Sequence, residues 1–301
     1  MTATASTPAQ TKALEERRPQ RAYRLRAAVA PTFWIGVVLL VLFLLVALTA
    51  NLWAPYGFAA IAGLPIAGPS SSHLLGTDLL GRDVFSRVAL GTAPVLLLSL
   101  GSTAISTLAG ALLGVVLALR RGVFDAFAMR VFEVLISIPF LILGLVLIAA
   151  VGVSNGSSSW LLVGVVVLIY LPRTTQVVRS AALGLVESDF VAAARARGES
   201  RVSIVVRELL PNLSGVTLVE FGVRAGYAPI LISSLAFLGF GAQPPSPQWG
   251  VMISENRSTF ASGNVWAVLG PAIALALLVI AINFVTDGIA RYLDRSTVRV
   301  P

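Results

Sequence analysis

Cysteine is absent from the 301 residues and histidine occurs once, at His73. The first absence excludes disulfides and thiolate metal sites. The second excludes a multi-histidine metal site and an intramembrane histidine relay, so no metal and no cofactor is expected. Charge is scarce as well: Asp, Glu, Lys and Arg make up 12% of the chain. There is no G-x-x-x-x-G-K-[ST] run and no kinase-like glycine loop. The chain is therefore not expected to hydrolyse nucleotide itself, and any such energy has to come from a partner.

Apolar residues fill the sequence instead. They make up 56% of it, and the mean hydropathy is +0.88. A water-soluble core of this length is not so apolar, and repeated membrane spans are the alternative. The net charge of +8 raises nucleic acid as a partner. In a membrane protein the same excess is accounted for by cytoplasmic loops rich in Lys and Arg, so membrane lipid is expected as the surroundings and nucleic acid is not.

Six largely apolar runs have lengths suited to a bilayer crossing of about 20 residues. They are Thr32–Leu52, Ala93–Leu119, Val131–Val153, Trp160–Val178, Leu213–Leu238 and Trp266–Thr286. The first is longer than the roughly 7–15 residues of a signal-peptide core. It also ends in Asn51-Leu52-Trp53 rather than in small residues, so an uncleaved helix is expected. Gly110-x-x-x-Gly114 offers a small-residue face to a neighbouring helix, and Pro139 is a tolerated kink.

Sorting the basic residues orients these spans. With the amino terminus inside, the inner segments hold Lys12, Arg17, Arg18, Arg21, Arg24 and Arg26, then Arg120, Arg121 and Arg130, then Arg173, Arg179, Arg195, Arg197, Arg201 and Arg207, then Arg291, Arg295 and Arg299. The outer loops hold only Arg82, Arg87 and Arg257, and Arg224 falls within a span. The asymmetry of eighteen to three supports an even number of spans and cytoplasmic termini.

The polar stretch Glu187–Pro211 then lies in the cytoplasm, between the fourth and fifth spans. Phe190, Ala193, Ala194 and Arg197 share one helical face of mostly small side chains. Gly198 suits the left-handed residue that ends such a helix, and Ser200 suits the cap of the next. Val202, Val205, Val206 and Leu209 then form an apolar stripe that Pro211 stops. An amphipathic hairpin lying on the membrane satisfies this pattern, and so does a docking element for a cytoplasmic partner.

Outside, Asp78, Arg82, Asp83 and Arg87 recur at spacings of four and five. A short exposed helix with Asp78–Arg82 and Asp83–Arg87 pairs, each worth about 0.2–0.5 kcal/mol, is expected. Gln243-Pro244-Pro245-Ser246-Pro247 is stiff and extended. Trp249 and Met252 after it are expected to bury into the outer membrane face, with lining the mouth of a pathway as the alternative.

The spacing Ala193-Ala194, three residues, Gly198, nine residues, then x-x-Leu210-Pro211 resembles the cytoplasmic EAA loop of permease subunits of bacterial ABC importers. His73–Arg87, Gly122–Ile148 and Leu235–Glu255 resemble the C-type permease subunit of the peptide and nickel branch. The resemblance runs from about residue 28 to residue 294. It implies an all-α integral membrane protein of six transmembrane helices with the type I ABC importer permease fold, set in the bacterial cytoplasmic membrane. The expected parts are a cytoplasmic tail (1–31), a first helix with its outer loop (32–91), the transporter domain (92–288) and a second cytoplasmic tail (289–301). Implied partners are a second homologous permease subunit, two cytoplasmic ATPase subunits and an extracytoplasmic substrate-binding protein. Phe190, Ala193, Ala194, Gly198, Leu210 and Pro211 become the ATPase-coupling residues. The glutamate usual in this loop falls at Ala192, and Asp189 or Glu199 is left to supply its charge. Peptide, nickel or a related small solute is the implied cargo.

Charges within spans normally face a bundle interior. Glu220 and Arg224 are four apart and can pair, either as a structural lock or, with Asn283, as part of a translocation pathway. Glu133 and Asp287 lie near inner ends, where arginines or solvent can meet them. Two other classes compete: an ion-coupled secondary transporter, which predicts an internal repeat with a midplane ion site, and a membrane-embedded structural or signalling subunit. No convincing repeat is visible.

Overall fold

The computed structural model describes residues 31–151, 159–262 and 264–297. The basic residues Lys12 to Arg26, the last two residues of the third run and Arg299 lie outside the described residues. In chain order the helices are α1 (Pro31–Trp53), α2 (Val84–Arg120), α3 (Val123–Ser137), α4 (Phe140–Val151), α5 (Ser159–Val186), α6 (Asp189–Ala196) and α7 (Arg201–Ser203). A π-helical turn (Ile204–Leu209) leads into α8 (Leu210–Asn212), α9 (Ser214–Phe237) and α10 (Trp249–Asn256). A 3-10 turn (Arg257–Ser262) precedes α11 (Trp266–Thr297).

Among the described residues α1, α2, α5, α9 and α11 are each long and apolar enough to cross a membrane. The third expected span is not one helix: α3 and α4 pass the same test only together, bent by 104°. The break has a local cause. Pro139 lacks an N–H and disfavours helix in the residue before it, and Ile138 is accordingly extended at φ −80, ψ 128.

The second span also differs from its expected bounds, because α2 starts nine residues earlier, at Val84 rather than Ala93. Its 37 residues reach about 55 Å, well beyond a hydrocarbon core of about 30 Å, so its first turns stand in the outer loops. Asp83 caps it, accepting from the Ser86 N–H at 2.8 Å.

The most extensive helix pair is α2 with α5, and α2 also touches α1, α9 and α11. The Gly110/Gly114 face is what allows the close approach. A Cβ at Gly110 would lie 2.9 Å from Thr174 Cβ, and one at Gly114 2.8 Å from the Thr175 carbonyl and 2.9 Å from the Arg179 N. Those last neighbours are backbone and cannot move aside. Gly114→Leu is therefore expected to destabilise the protein by about 1–3 kcal/mol, read as a lower melting temperature in detergent. Gly101→Leu on the same helix, where a Cβ meets nothing within 4 Å, is the control without effect. Gly222 against Thr286 and Gly226 against Asn283 join α9 to α11 in the same way.

Candidate coupling loop, mid-span cavity and outer clamp

The segment after α5 folds as two short helical pieces joined at a glycine. Gly198 has φ +77, its N–H donates to the Arg195 carbonyl at 3.0 Å, and the Glu199 N–H reaches back to the Ala194 carbonyl at 3.2 Å. This double closure is the Schellman stop that the glycine allows. Ser200 caps the next piece by accepting from the Ser203 N–H at 3.2 Å. Both expectations for the hinge hold.

One side of the loop is fixed and the other is open. Val191, Ala194, Ile204, Val205 and Leu209 are buried in a cluster with Ala111 and Val115 of α2 and Val178, Ala182 and Val186 of α5. Phe190, Ala192, Ala193 and Arg197 are exposed, so the expected face is divided, with Ala194 turned inward. The valine stripe divides too: Val202 and Val206 are 72% and 55% exposed, and Ile204 is buried in their place. The cause is the π-helical turn, whose wider winding shifts the register that a 3.6-residue period assumes. Nor does Pro211 stop the run, since Leu210–Asn212 stays helical and the chain turns at Leu213. Leu210 is half-buried and Pro211 exposed.

Glu199 is engaged locally. Arg197 donates to it from Nη2 at 2.7 Å and from Nε at 3.2 Å, and Ser203 Oγ lies 2.9 Å from its other oxygen. The Arg197 guanidinium first, and the Ser203 hydroxyl second, hold its carboxyl below the usual carboxylate range. Of the two candidates for the charge missing at Ala192, Glu199 thus braces the hinge, while Asp189 opens α6 and is exposed.

In the membrane-spanning part, Arg224 Nη2 donates to Glu220 at 2.8 Å, with both side chains 12% exposed. The pair forms as expected. Asn283 does not bond to it: it donates to the Val279 carbonyl of its own helix and packs on Gly226. Arg224 lines a cavity of about 320 Å³ at the α3–α4 break, with Tyr170 and Arg173 of α5 and Tyr227 of α9. The basic-residue sorting places Arg173 among the cytoplasmic arginines. Arg173 instead sits midway along α5, which continues to Val186. At the inner end, Asp125 of α3 takes Nε of Arg179 at 2.6 Å and its Nη2 as a second contact, and Arg121 pairs with Glu187 at 2.9 Å. Glu133 pairs with Arg130 at 2.8 Å on the exposed face of α3.

Outside, the expected exposed helix over Asp78–Arg87 is absent. Gly76 and Gly81 take positive φ, and the chain turns twice before α2 begins. Asp78 is fully buried and receives Arg82 Nε at 2.6 Å and Arg87 Nη1. Both arginines also reach Glu255 of α10, at 3.0 and 2.9 Å. Arg87 further donates to the carbonyls of Pro245 and Ser246. Asp83 pairs with His73 at 3.0 Å instead of with Arg87. Trp249 and Met252 are buried, but inside the protein: Trp249 Nε1 donates to the Val88 carbonyl at 3.0 Å.

Residues 106–299 match the family of inner membrane components of binding-protein-dependent transport systems. The chain belongs to that family. A Brucella suis protein described as a peptide transport system permease is 35% identical over 87% of each chain. The glutathione transport system permease GsiD of Pectobacterium atrosepticum is 36% identical over 75% of this chain and 74% of its own. A second Brucella suis protein, described as a peptide permease, is 36% identical over 92% and 90%. The permease is thus a pore-forming, multi-pass subunit of an ABC importer in the inner membrane, a transport component rather than an enzyme, working with ATPase and substrate-binding components. Ion-coupled transport is not favoured.

Sequence reasoning missed Asp125, Glu255, Tyr170 and Tyr227. For Asp125 a signal existed: it is one of few acids at an inner span end, where basic residues are enriched. Glu255 had none, because its partners lie 168 and 173 positions away.

Proposed function

We propose that the permease carries short peptides inward, beside a second homologous permease subunit, above two cytoplasmic ATPase subunits and below an extracytoplasmic binding protein. The transporter unit is residues 92–288, flanked by the first helix with its outer loop and by cytoplasmic tails. The ATPases engage Phe190, Ala193 and Gly198, with Ala194, Leu210 and Pro211 holding the shape of the loop. The observation that carries this reading is the two-sided loop: an open face of small side chains backed by residues packed onto α2 and α5. A push on such a loop passes to the two helices rather than dissipating in it. ATP-driven closure then changes the relative stability of inward-open and outward-open states, and substrate follows through its different affinity for them. Peptide as the cargo is supported by the names of the relatives, and a pathway beside α9 by the Glu220–Arg224 pair at mid-span.

Purified permease, reconstituted with its partner subunits and binding protein in vesicles, is expected to take up labelled di- and tripeptides only with ATP inside the ATPase compartment. Uptake driven by an ion gradient without ATP would overturn this.

A further inference from the structure

We propose that the cavity at the α3–α4 break is where the permease holds the carboxylate end of a passing peptide, with Arg224 and Arg173 as the gripping groups. The inference rests on the peptide-import reading and adds the chemical feature of the substrate that is recognised within the membrane.

Depth comes first. Arg224 lies ten residues into the 24-residue α9, about 15 Å from its inner end. Tyr170 and Arg173 lie eleven and fourteen residues into the 28-residue α5, about 17 and 21 Å from its outer end. Since the two helices run in opposite directions through the membrane, all three side chains meet near its middle. Lipid headgroups do not reach that depth.

Openness comes second. Arg173 is exposed and Tyr227 is 58% exposed, so this chain leaves one side of the cavity uncovered. Charged side chains at such a depth face a bundle interior or a water-filled passage rather than hydrocarbon. The open side therefore belongs to the route that solute takes.

Charge balance comes third. Two guanidinium groups line the cavity and none of its lining residues is acidic. Glu220 answers Arg224 at Nη2 only, and Arg224 Nε is buried with no hydrogen-bond partner. A buried charged donor without an acceptor calls for one, and a planar guanidinium matches a carboxylate. Tyr170 and Tyr227 add two phenol hydroxyls, and the rest of the wall, Ile138, Phe140, Leu143 and Ile169 among it, is apolar. A site of about 320 Å³ built this way recognises what every peptide shares, its terminal carboxylate, and tolerates what differs. Competition from Glu220 for the same guanidinium keeps the hold weak, which suits release.

The test uses the assembled transporter in nanodiscs, without binding protein, and equilibrium binding of radiolabelled tri-alanine and tri-alanine amide. The free acid is expected to bind about tenfold more tightly than the amide, and Arg224→Gln and Arg173→Gln should each erase most of that difference. Arg173 is exposed, so its replacement carries the test even if Arg224→Gln fails to assemble. Equal binding of acid and amide, indifference to both substitutions, or no saturable binding because a neighbouring subunit's carboxylate fills the cavity overturns the proposal. ATP-driven uptake of tri-alanine with the binding protein present is measured on the same purified transporter reconstituted in closed vesicles. Uptake without an acid–amide difference in binding removes the carboxylate site alone; absence of uptake of any peptide removes the import reading and the site with it.

Discussion

Arg87→Met is expected to lower the stability of the permease by about 3–5 kcal/mol, the cost of breaking a buried ion network by removing one member. The side chain is 0% exposed and answers four acceptors: Asp78, Glu255 and the carbonyls of Pro245 and Ser246. Methionine fills much of the same space, so the loss is of charge and donors rather than of packing. Asp78, itself fully buried, would keep Arg82 as its one ion-pair partner beside the Leu80 and Arg82 backbone N–H groups, and two loop carbonyls would lose their donor. The melting temperature of the purified protein in detergent is the measurement. Arg257→Met, at an exposed outer arginine, should stay within about 0.5 kcal/mol of the parent. If Asp78→Asn is added to Arg87→Met, the two costs should fail to add by about 0.5–3 kcal/mol, because each variant leaves the other's partner uncompensated. A loss below about 1 kcal/mol for Arg87→Met would mean that water reaches the network and screens it.

The importance of the network lies in what it joins. Asp78, Arg82 and Arg87 belong to the first outer loop and the start of α2, whereas Glu255 belongs to α10, far along the chain. Asn256 and Asn264 repeat the connection: Asn256 accepts from the Leu79 N–H at 3.0 Å, and Asn264 donates to the carbonyls of Ala67 and Thr77. The first outer loop is thereby held to the elements between the last two spans.

The spans were legible because a bilayer imposes one requirement, some 20 residues with little charge, that sequence alone can meet. Gly110 and Gly114 were legible for a similar reason: small residues four apart have few uses on a long helix other than contact. The outer charges were misread because spacing reports only neighbours along one helix. Gly76 and Gly81 at positive φ remove the helix, and the partner that completes the pattern, Glu255, is invisible to any local period. The valine stripe failed where the winding changed, at Ile204–Leu209. The mid-span cavity needed the third dimension, since Pro139 announces a break but not that Tyr170, Arg173 and Arg224 gather beside it.

Gly198→Val is expected to leave insertion and helix packing intact while reducing ATP-driven uptake at least about tenfold, with ATP hydrolysis by the partner subunits continuing uncoupled. A Cβ built at Gly198 meets nothing within 4 Å, so the substitution brings no clash. Its whole cost is conformational: at φ +77 an L-residue loses about 1–2 kcal/mol, and a β-branched one more. That strain falls on the single residue that ends α6 and aims α7, so it is relieved by changing the angle between the open face of the loop and the part anchored on α2 and α5. Gly198→Asn separates backbone from side chain, because asparagine enters the left-handed region readily. If uptake survives in the Asn variant and fails in the Val variant, the hinge angle is what couples the loop to the ATPases. If both fail alike, the open space at Gly198 is itself occupied by the ATPase surface, and any side chain there blocks docking. Normal uptake in both would remove the loop from the coupling path altogether.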